Sequence, residues 1–196
     1  MTQPEVRSAD RILLSALDLF SHKGYDATSV REICEAARIT KPTLYHFYKS
    51  KDGLYRALVE GTLQEFKRRL VAELDVPGTA AERLKRVARL YFAQARGHRQ
   101  LMRFLFALIH NPPATAPPTD FVQFYEEVVG RIAVCLEEAV ARGELSGGRT
   151  DLRMLVLMGA LGESLCGYVL TGRPELTTEL ADSLVETILG SWHPRR

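Results

Sequence analysis

Between Arg38 and Lys51 the chain carries four cations, Arg38, Lys41, Lys49 and Lys51, together with His46, and no carboxylate. Threonines and tyrosines (Thr40, Thr43, Tyr45, Tyr48) are interleaved with them. Lysine, threonine and tyrosine side chains reach phosphate oxygens and base edges, and the first turn of a helix adds backbone donors to a phosphate. The chemistry this stretch suits is contact with nucleic acid. The footprint is local, because the formal net charge of all 196 residues is only +2.

Catalytic chemistry has no comparable cluster. The five histidines (His22, His46, His98, His110, His193) are scattered, and neither a Glu-x-x-His helix motif nor a glycine-rich phosphate cradle occurs. No catalytic residue, metal site or cofactor is expected, and the protein is not read as an enzyme. Cys34, Cys135 and Cys166 are odd in number and far apart, which fits neither a disulfide framework nor a zinc site. They read as reduced thiols. Met1 to Asp10 lacks the apolar core of a signal peptide, and Arg103 and Glu163 interrupt the longest apolar stretches short of the ~20 residues that cross a bilayer. A cytoplasmic protein with no membrane partner is expected.

Helical periodicity runs through nearly the whole chain and predicts about nine helices and no sheet. The first spans about Val6 to His22, with Ile12, Ala16, Leu19 and Phe20 on one face and Gly24 as its stop. Ser29-Val30-Arg31-Glu32 has the capping-box pattern and opens a two-turn helix to about Ala37. Thr40 is the expected N-cap of a third helix, with Pro42 in its first turn, ending near Tyr48. Two short helices joined by a tight turn form a helix-turn-helix. A long helix from about Lys51 to Leu74 then connects it to longer helices at about Ala80–Arg96, His98–Ile109, Asp120–Arg142, Leu152–Leu170 and Thr177–Trp192. Asn111 to Thr119 holds Pro112, Pro113, Pro117 and Pro118 and reads as a stiff extended loop. The expected organisation is an all-α fold with a DNA-binding domain over residues 1–50 and a helical effector-binding and dimerisation domain over residues 51–196.

The run Ile39-Thr40-Lys41-Pro42-Thr43-Leu44-Tyr45-His46-Phe47-Tyr48-Lys49-Ser50-Lys51 resembles the signature of the TetR family of bacterial regulators. Leu19-Phe20, Gly24-Tyr25 and Thr28-Ser29-Val30-Arg31-Glu32-Ile33 extend the resemblance to about Arg7 to Leu58. It implies Thr28 and Ser29 as phosphate ligands and Arg31 as a base-contacting side chain. Lys41, Pro42 and Thr43 would face the major groove, while Tyr45, His46 and Lys51 would hold the DNA backbone. Leu44 would be core, and Tyr48 reads as half-buried packing. Two positions depart from the family pattern: Arg38 stands where a turn glycine is common, and Phe47 where relatives carry a polar ring. Arg38 must turn without positive φ or accept its strain, and its guanidinium could reach phosphate.

One such module binds too weakly to find an operator, so a dimer is expected, with recognition helices about 34–36 Å apart on a pseudo-palindrome. The last two helices are the expected surface, through Leu155, Gly159 and Gly162 on one and Leu180, Leu184 and Ile188 on the other; a purely intramolecular core is the alternative. Tyr91, Phe92, Phe104, Phe121, Phe124, Tyr125, Met158 and Cys166 either fill a plain core or line an apolar cavity closed by the proline-rich loop, with His110 as a polar contact. A hydrophobic or amphipathic small molecule would enter such a cavity. Its binding would shift the connector helix and change the spacing of the recognition helices. The resulting expectation is a dimeric repressor of double-stranded operator DNA, released by a small-molecule effector. The rival is a helical interaction protein that keeps the fold without specific DNA binding.

Overall fold

The structure is a computed structural model that describes the backbone of residues 3–110 and 115–192 and the side chains of residues 8–109 and 115–192. Among the described residues all regular structure is helical. The order is α1 (Gln3–Lys23), α2 (Val30–Ala37), α3 (Lys41–Tyr48), α4 (Lys51–Asp75), α5 (Ala80–Gly97), α6 (Arg99–His110), α7 (Phe121–Ala141), α8 (Thr150–Thr171) and α9 (Thr178–Gly190). Each begins and ends within a few residues of the place its caps and periodicity predict, because the stop and start signals are chemical. Gly24, at φ 82°, closes α1 by donating to the Phe20 carbonyl at 3.0 Å. Ser29 and Glu32 form the complete capping box of α2, and Thr79 and Glu82 repeat it on α5.

The chain divides into two compact units, Met1–Gln64 with Gln100–Phe121, and Glu65–Arg99 with Val122–Arg196. The first unit is larger than the expected domain of residues 1–50, because α6 packs into it. Phe104 lies 6.3 Å from Phe20 and 5.9 Å from Tyr55, completing an aromatic cluster with Tyr25. Gln100 Nε2 also donates to Asp18 Oδ1 at 2.8 Å. Thr115 donates to Asp26, in the turn before α2. The described part of the proline-rich loop is thus tied to the helix-turn-helix unit. Pro112 and Pro113 lie outside the described residues.

In the second unit α5 runs against α9. Ala181, Val185 and Leu189 are buried along the contact, and Arg89 grips Asp182 through two bonds of 2.5 and 2.6 Å. Leu84, Phe92, Ile132, Leu136, Leu157 and Leu161 are buried and form its core. Burying such side chains contributes about 1.5–3 kcal/mol each relative to exposure, so the helical periodicity of these positions is what fixes the fold.

Candidate nucleic-acid interface

The candidate recognition helix is α3. Thr40 caps it: its Oγ1 accepts from Thr43 N at 3.4 Å and lies 2.9 Å from Thr43 Oγ1. Pro42 occupies the first turn, where its missing N–H costs nothing. Leu44 is fully buried, as is Ile33 on α2, and this anchors the pair of helices. With Leu44 pointing inward, Lys41, Pro42, Tyr45 and His46 are exposed and Thr43 is half-buried. The sequence-identified major-groove residues therefore share one accessible end of α3.

Arg38 and Lys49 bracket the helix, and both have left-handed φ, 52° and 64°. Arg38 takes the strained alternative. Its N–H donates to Glu35 O and the following Ile39 N–H donates to Cys34 O at 3.0 Å, which closes α2 and turns the chain into α3. The Arg38 side chain is left exposed. Phe47 is half-buried, with its ring 5.3 Å from His46 and 6.2 Å from Tyr48. The Tyr48 hydroxyl donates to Ala9 O at 3.1 Å, tying the end of α3 to α1.

Three residues expected to hold phosphate have prior commitments. Thr28 is buried and its hydroxyl donates to Gly24 O at 2.8 Å, so its side chain fixes the turn and is not presented to solvent. Ser29 is exposed, but its hydroxyl is engaged with Glu32 in the capping box. The Glu32 carboxylate also bonds Lys23, which together with the Ser29 bonds holds its pKa down to about 2. An anion of the protein's own therefore already sits at the start of α2. Lys51 donates to Tyr25 O at 2.8 Å and Thr28 O at 2.9 Å and lies 4.0 Å over the Tyr25 ring, so two of its three N–H donors point into the fold. Tyr25 in turn donates to Asp52, and burial followed by that bond raises its pKa. Arg31 is exposed, with Nε on Glu35 at 2.7 Å and its other nitrogens outward.

Sequence reasoning missed the Tyr25–Lys51–Asp52 clamp and the Lys23–Glu32 pair. Their partners are up to 27 residues apart in the chain and follow no local pattern. Gly53 is a further omission. A Cβ there would stand 2.0 Å from the Tyr48 carbonyl oxygen, so only glycine lets the first turn of α4 approach the end of α3.

The sequence pattern of the bacterial regulatory proteins of the tetR family matches residues 12–58. A relative in Mycolicibacterium smegmatis, the HTH-type transcriptional repressor KstR2, is 30% identical over 154 residues, covering 77% of this chain and 72% of that protein. The chain belongs to the TetR family. The Bacillus subtilis protein YttP is 31% identical over 105 residues, covering 52% of this chain; the match spans 50% of YttP, about half its length. The structure of the regulator FadR from Bacillus subtilis, described in complex with stearoyl-CoA, shares the fold with a TM-score of 0.72, at 20% identity, over 94% of this chain and 99% of that one.

In this TetR-family chain the residues assigned to an effector site do not gather as one set. Phe104 is buried in the aromatic cluster of the first unit, where Phe121 also falls. The His110 side chain lies outside the described residues. Phe92 is 1% exposed and fills the core instead of lining a cavity, while Tyr125 is 47% exposed. Tyr91, Phe124, Met158 and Cys166 are half-buried in the second unit. Phe66, which sequence reasoning passed over, touches two aromatic partners there: its ring lies 4.7 Å from Tyr91 and 6.3 Å from Phe124.

Proposed function

We propose that the chain is a homodimeric repressor that reads a pseudo-palindromic operator through α3 and releases it when a hydrophobic or amphipathic small molecule binds the second unit. The observation that carries the reading is the accessible end of α3. Lys41, Pro42, Tyr45 and His46 stand exposed in a stretch free of carboxylates, on a helix pinned by the fully buried Leu44. Lys41 and Thr43 read bases. Arg38 and the last free N–H of Lys51 serve phosphates.

The dimer reading rests on α8, the described helix whose length and composition would also suffice to cross a membrane. Leu152, Leu155 and Val156 are exposed on it, Leu155 by 69%, and Gly159 one turn on is exposed as well. An apolar stripe at i, i+3, i+4, i+7 is costly against water and suits a second copy of itself. Gly162 on α8 and Leu180, Leu184 and Ile188 on α9 are half-buried beside the residues that face the core, leaving surface for the same contact. FadR of Bacillus subtilis, on this fold, is described with stearoyl-CoA, an amphipathic molecule. Because α4 is continuous from Lys51, beside α3, to Asp75 in the second unit, it is the element through which ligand binding would reach the recognition helices. A coupling of about 2.7 kcal/mol would lower operator affinity by about 10²-fold.

The test is fluorescence anisotropy with duplex DNA from upstream of the protein's own coding region. Salt-sensitive, sequence-selective binding by a dimer is expected, with selectivity reduced in Lys41→Ala and Thr43→Ala. Equal affinity for scrambled DNA would favour the interaction protein that keeps the fold without an operator.

A further inference from the structure

We propose that Arg31 reads a guanine of the operator and that Glu35 is the residue that positions it, holding one edge of the guanidinium so that the other meets the base. This rests on the reading that the N-terminal unit binds operator DNA.

Arg31 and Glu35 stand one turn apart on α2, and Arg31 Nε donates to Glu35 Oε1 at 2.7 Å. Residues four apart share a helix face, so the pair forms without distortion. Ile33, Cys34 and Ala37 turn inward, while Arg31, Glu35 and Arg38 are exposed along one stripe. That stripe leads into the accessible end of α3. Cys34, whose thiol pKa is raised by burial, also feels the opposing charges of Lys41 and Glu35, so the start of α3 and the Arg31–Glu35 pair border the same sulfur.

The form of the bond matters. Arg68, Arg89 and Arg149 each meet a carboxylate through Nε and one Nη together. Arg31 meets Glu35 through Nε alone, which leaves both Nη groups without a partner among the described residues. Two N–H groups side by side at the end of a guanidinium match the paired acceptors N7 and O6 that guanine presents in the major groove. Adenine sets a donor beside its N7, and the pyrimidines offer no such pair. A phosphate would also accept from both Nη, but it would be repelled by the Glu35 carboxylate beside it. A neutral base edge suffers less from that charge. An ion pair as exposed as this one contributes little to folding. Its effect on Arg31 is to fix the plane of the fork before the base arrives, so less side-chain freedom is lost on binding.

The experiment measures binding of the full-length protein to its upstream duplex by fluorescence anisotropy at low salt, with each guanine replaced in turn by 7-deazaguanine. That base keeps its pairing and loses only the N7 acceptor. In the wild type one guanine, with its symmetry mate, should show a penalty of about tenfold. The penalty should vanish in Arg31→Ala and shrink to about threefold in Glu35→Ala. Glu35→Gln, whose amide oxygen still accepts from Nε, should keep most of it. Thermal midpoints should be unchanged in all three variants, since a merely structural pair would move the midpoint and not the penalty at one base. A penalty in Glu35→Ala within twofold of wild type overturns the positioning role. A penalty that survives in Arg31→Ala, or none at any guanine while the wild type still prefers its operator to scrambled DNA, overturns reading by Arg31 and leaves operator binding in place. Equal affinity for operator and scrambled DNA overturns both.

Discussion

Arg38 and Lys49 stand at the two ends of the recognition helix, and they are the described non-glycine residues with positive φ. Left-handed backbone at a residue with a Cβ costs on the order of 1 kcal/mol. The unit tolerates it at both places because the turns they make aim α3. Arg38 closes α2 through Glu35 O, and Lys49 closes α3 by donating its N–H to Tyr45 O at 3.1 Å. Each is also a cation at the edge of the candidate interface.

Substitution of Arg38 separates its two roles. Arg38→Gly removes the backbone strain and the guanidinium together, so the N-terminal unit should gain up to about 1 kcal/mol. Operator affinity should fall at every sequence alike, with the salt slope lower by about one unit. Arg38→Ala should lose the same affinity without the gain in stability. Thermal denaturation and binding across a salt series check both, and undiminished binding by Arg38→Gly would remove Arg38 from the interface.

Gly53→Ala should be among the most damaging small substitutions in the chain. The added methyl would stand 2.0 Å from the Tyr48 backbone oxygen, which no side-chain rotation relieves. The first turn of α4 must move, at an expected ~1–3 kcal/mol, and the end of α3 moves with it. Urea denaturation should report the loss, and DNA binding should weaken more than stability alone explains. Gly61→Ala, on the same helix with open space at its Cβ, is the control and should be neutral or stabilising.

The contrast between those glycines also marks what was legible in the sequence. The caps Ser29 and Thr40 were readable because each acts on a residue three positions away, and Thr79 and Thr177, which no sequence reading singled out, act in the same way on α5 and α9. The candidate interface was legible as one surface because Lys41 to His46 lie within two turns of one helix. What was hidden depends on long-range partners. Thr28 has the residue type of a phosphate ligand, but burial directs its hydroxyl to Gly24 O. Phe104 has the type of a cavity residue, and its place beside Phe20 and Tyr55 follows from the path of α6, which no local spacing encodes.

Lys51 carries both lessons. Its two bonds to Tyr25 O and Thr28 O hold the loop that starts α2 against the first turn of α4. Lys51→Ala should therefore destabilise the N-terminal unit by about 1–2 kcal/mol, in the lower range of charge-assisted bonds because the side chain is partly exposed. A pure phosphate contact would change only the salt slope. Chemical denaturation without DNA distinguishes the two, and an unchanged midpoint would show the clamp to be dispensable.

On α8, Leu155→Glu tests the dimer without disturbing the core, since Leu155 is exposed in the single chain. Helical content should be unchanged while sedimentation shows monomers. Operator affinity should drop at least tenfold, because two recognition helices no longer bind as one unit. A dimer that survives the carboxylate would move the interface elsewhere.

Acid should loosen the start of α2 through Glu32. Its pKa is lowered from 4.5 to about 2, first by Lys23 and then by the Ser29 backbone and hydroxyl, so the folded state favours the carboxylate. For such a group the stabilisation is complete above the unfolded value and disappears as pH falls through the folded one. Stability should therefore decline from about pH 4.5 toward pH 2. Glu32→Gln keeps a neutral capping box, so its stability should be lower than wild type at neutral pH and flatter across that acid range. If the two proteins lose stability in parallel, carboxylates other than Glu32 govern the acid limb.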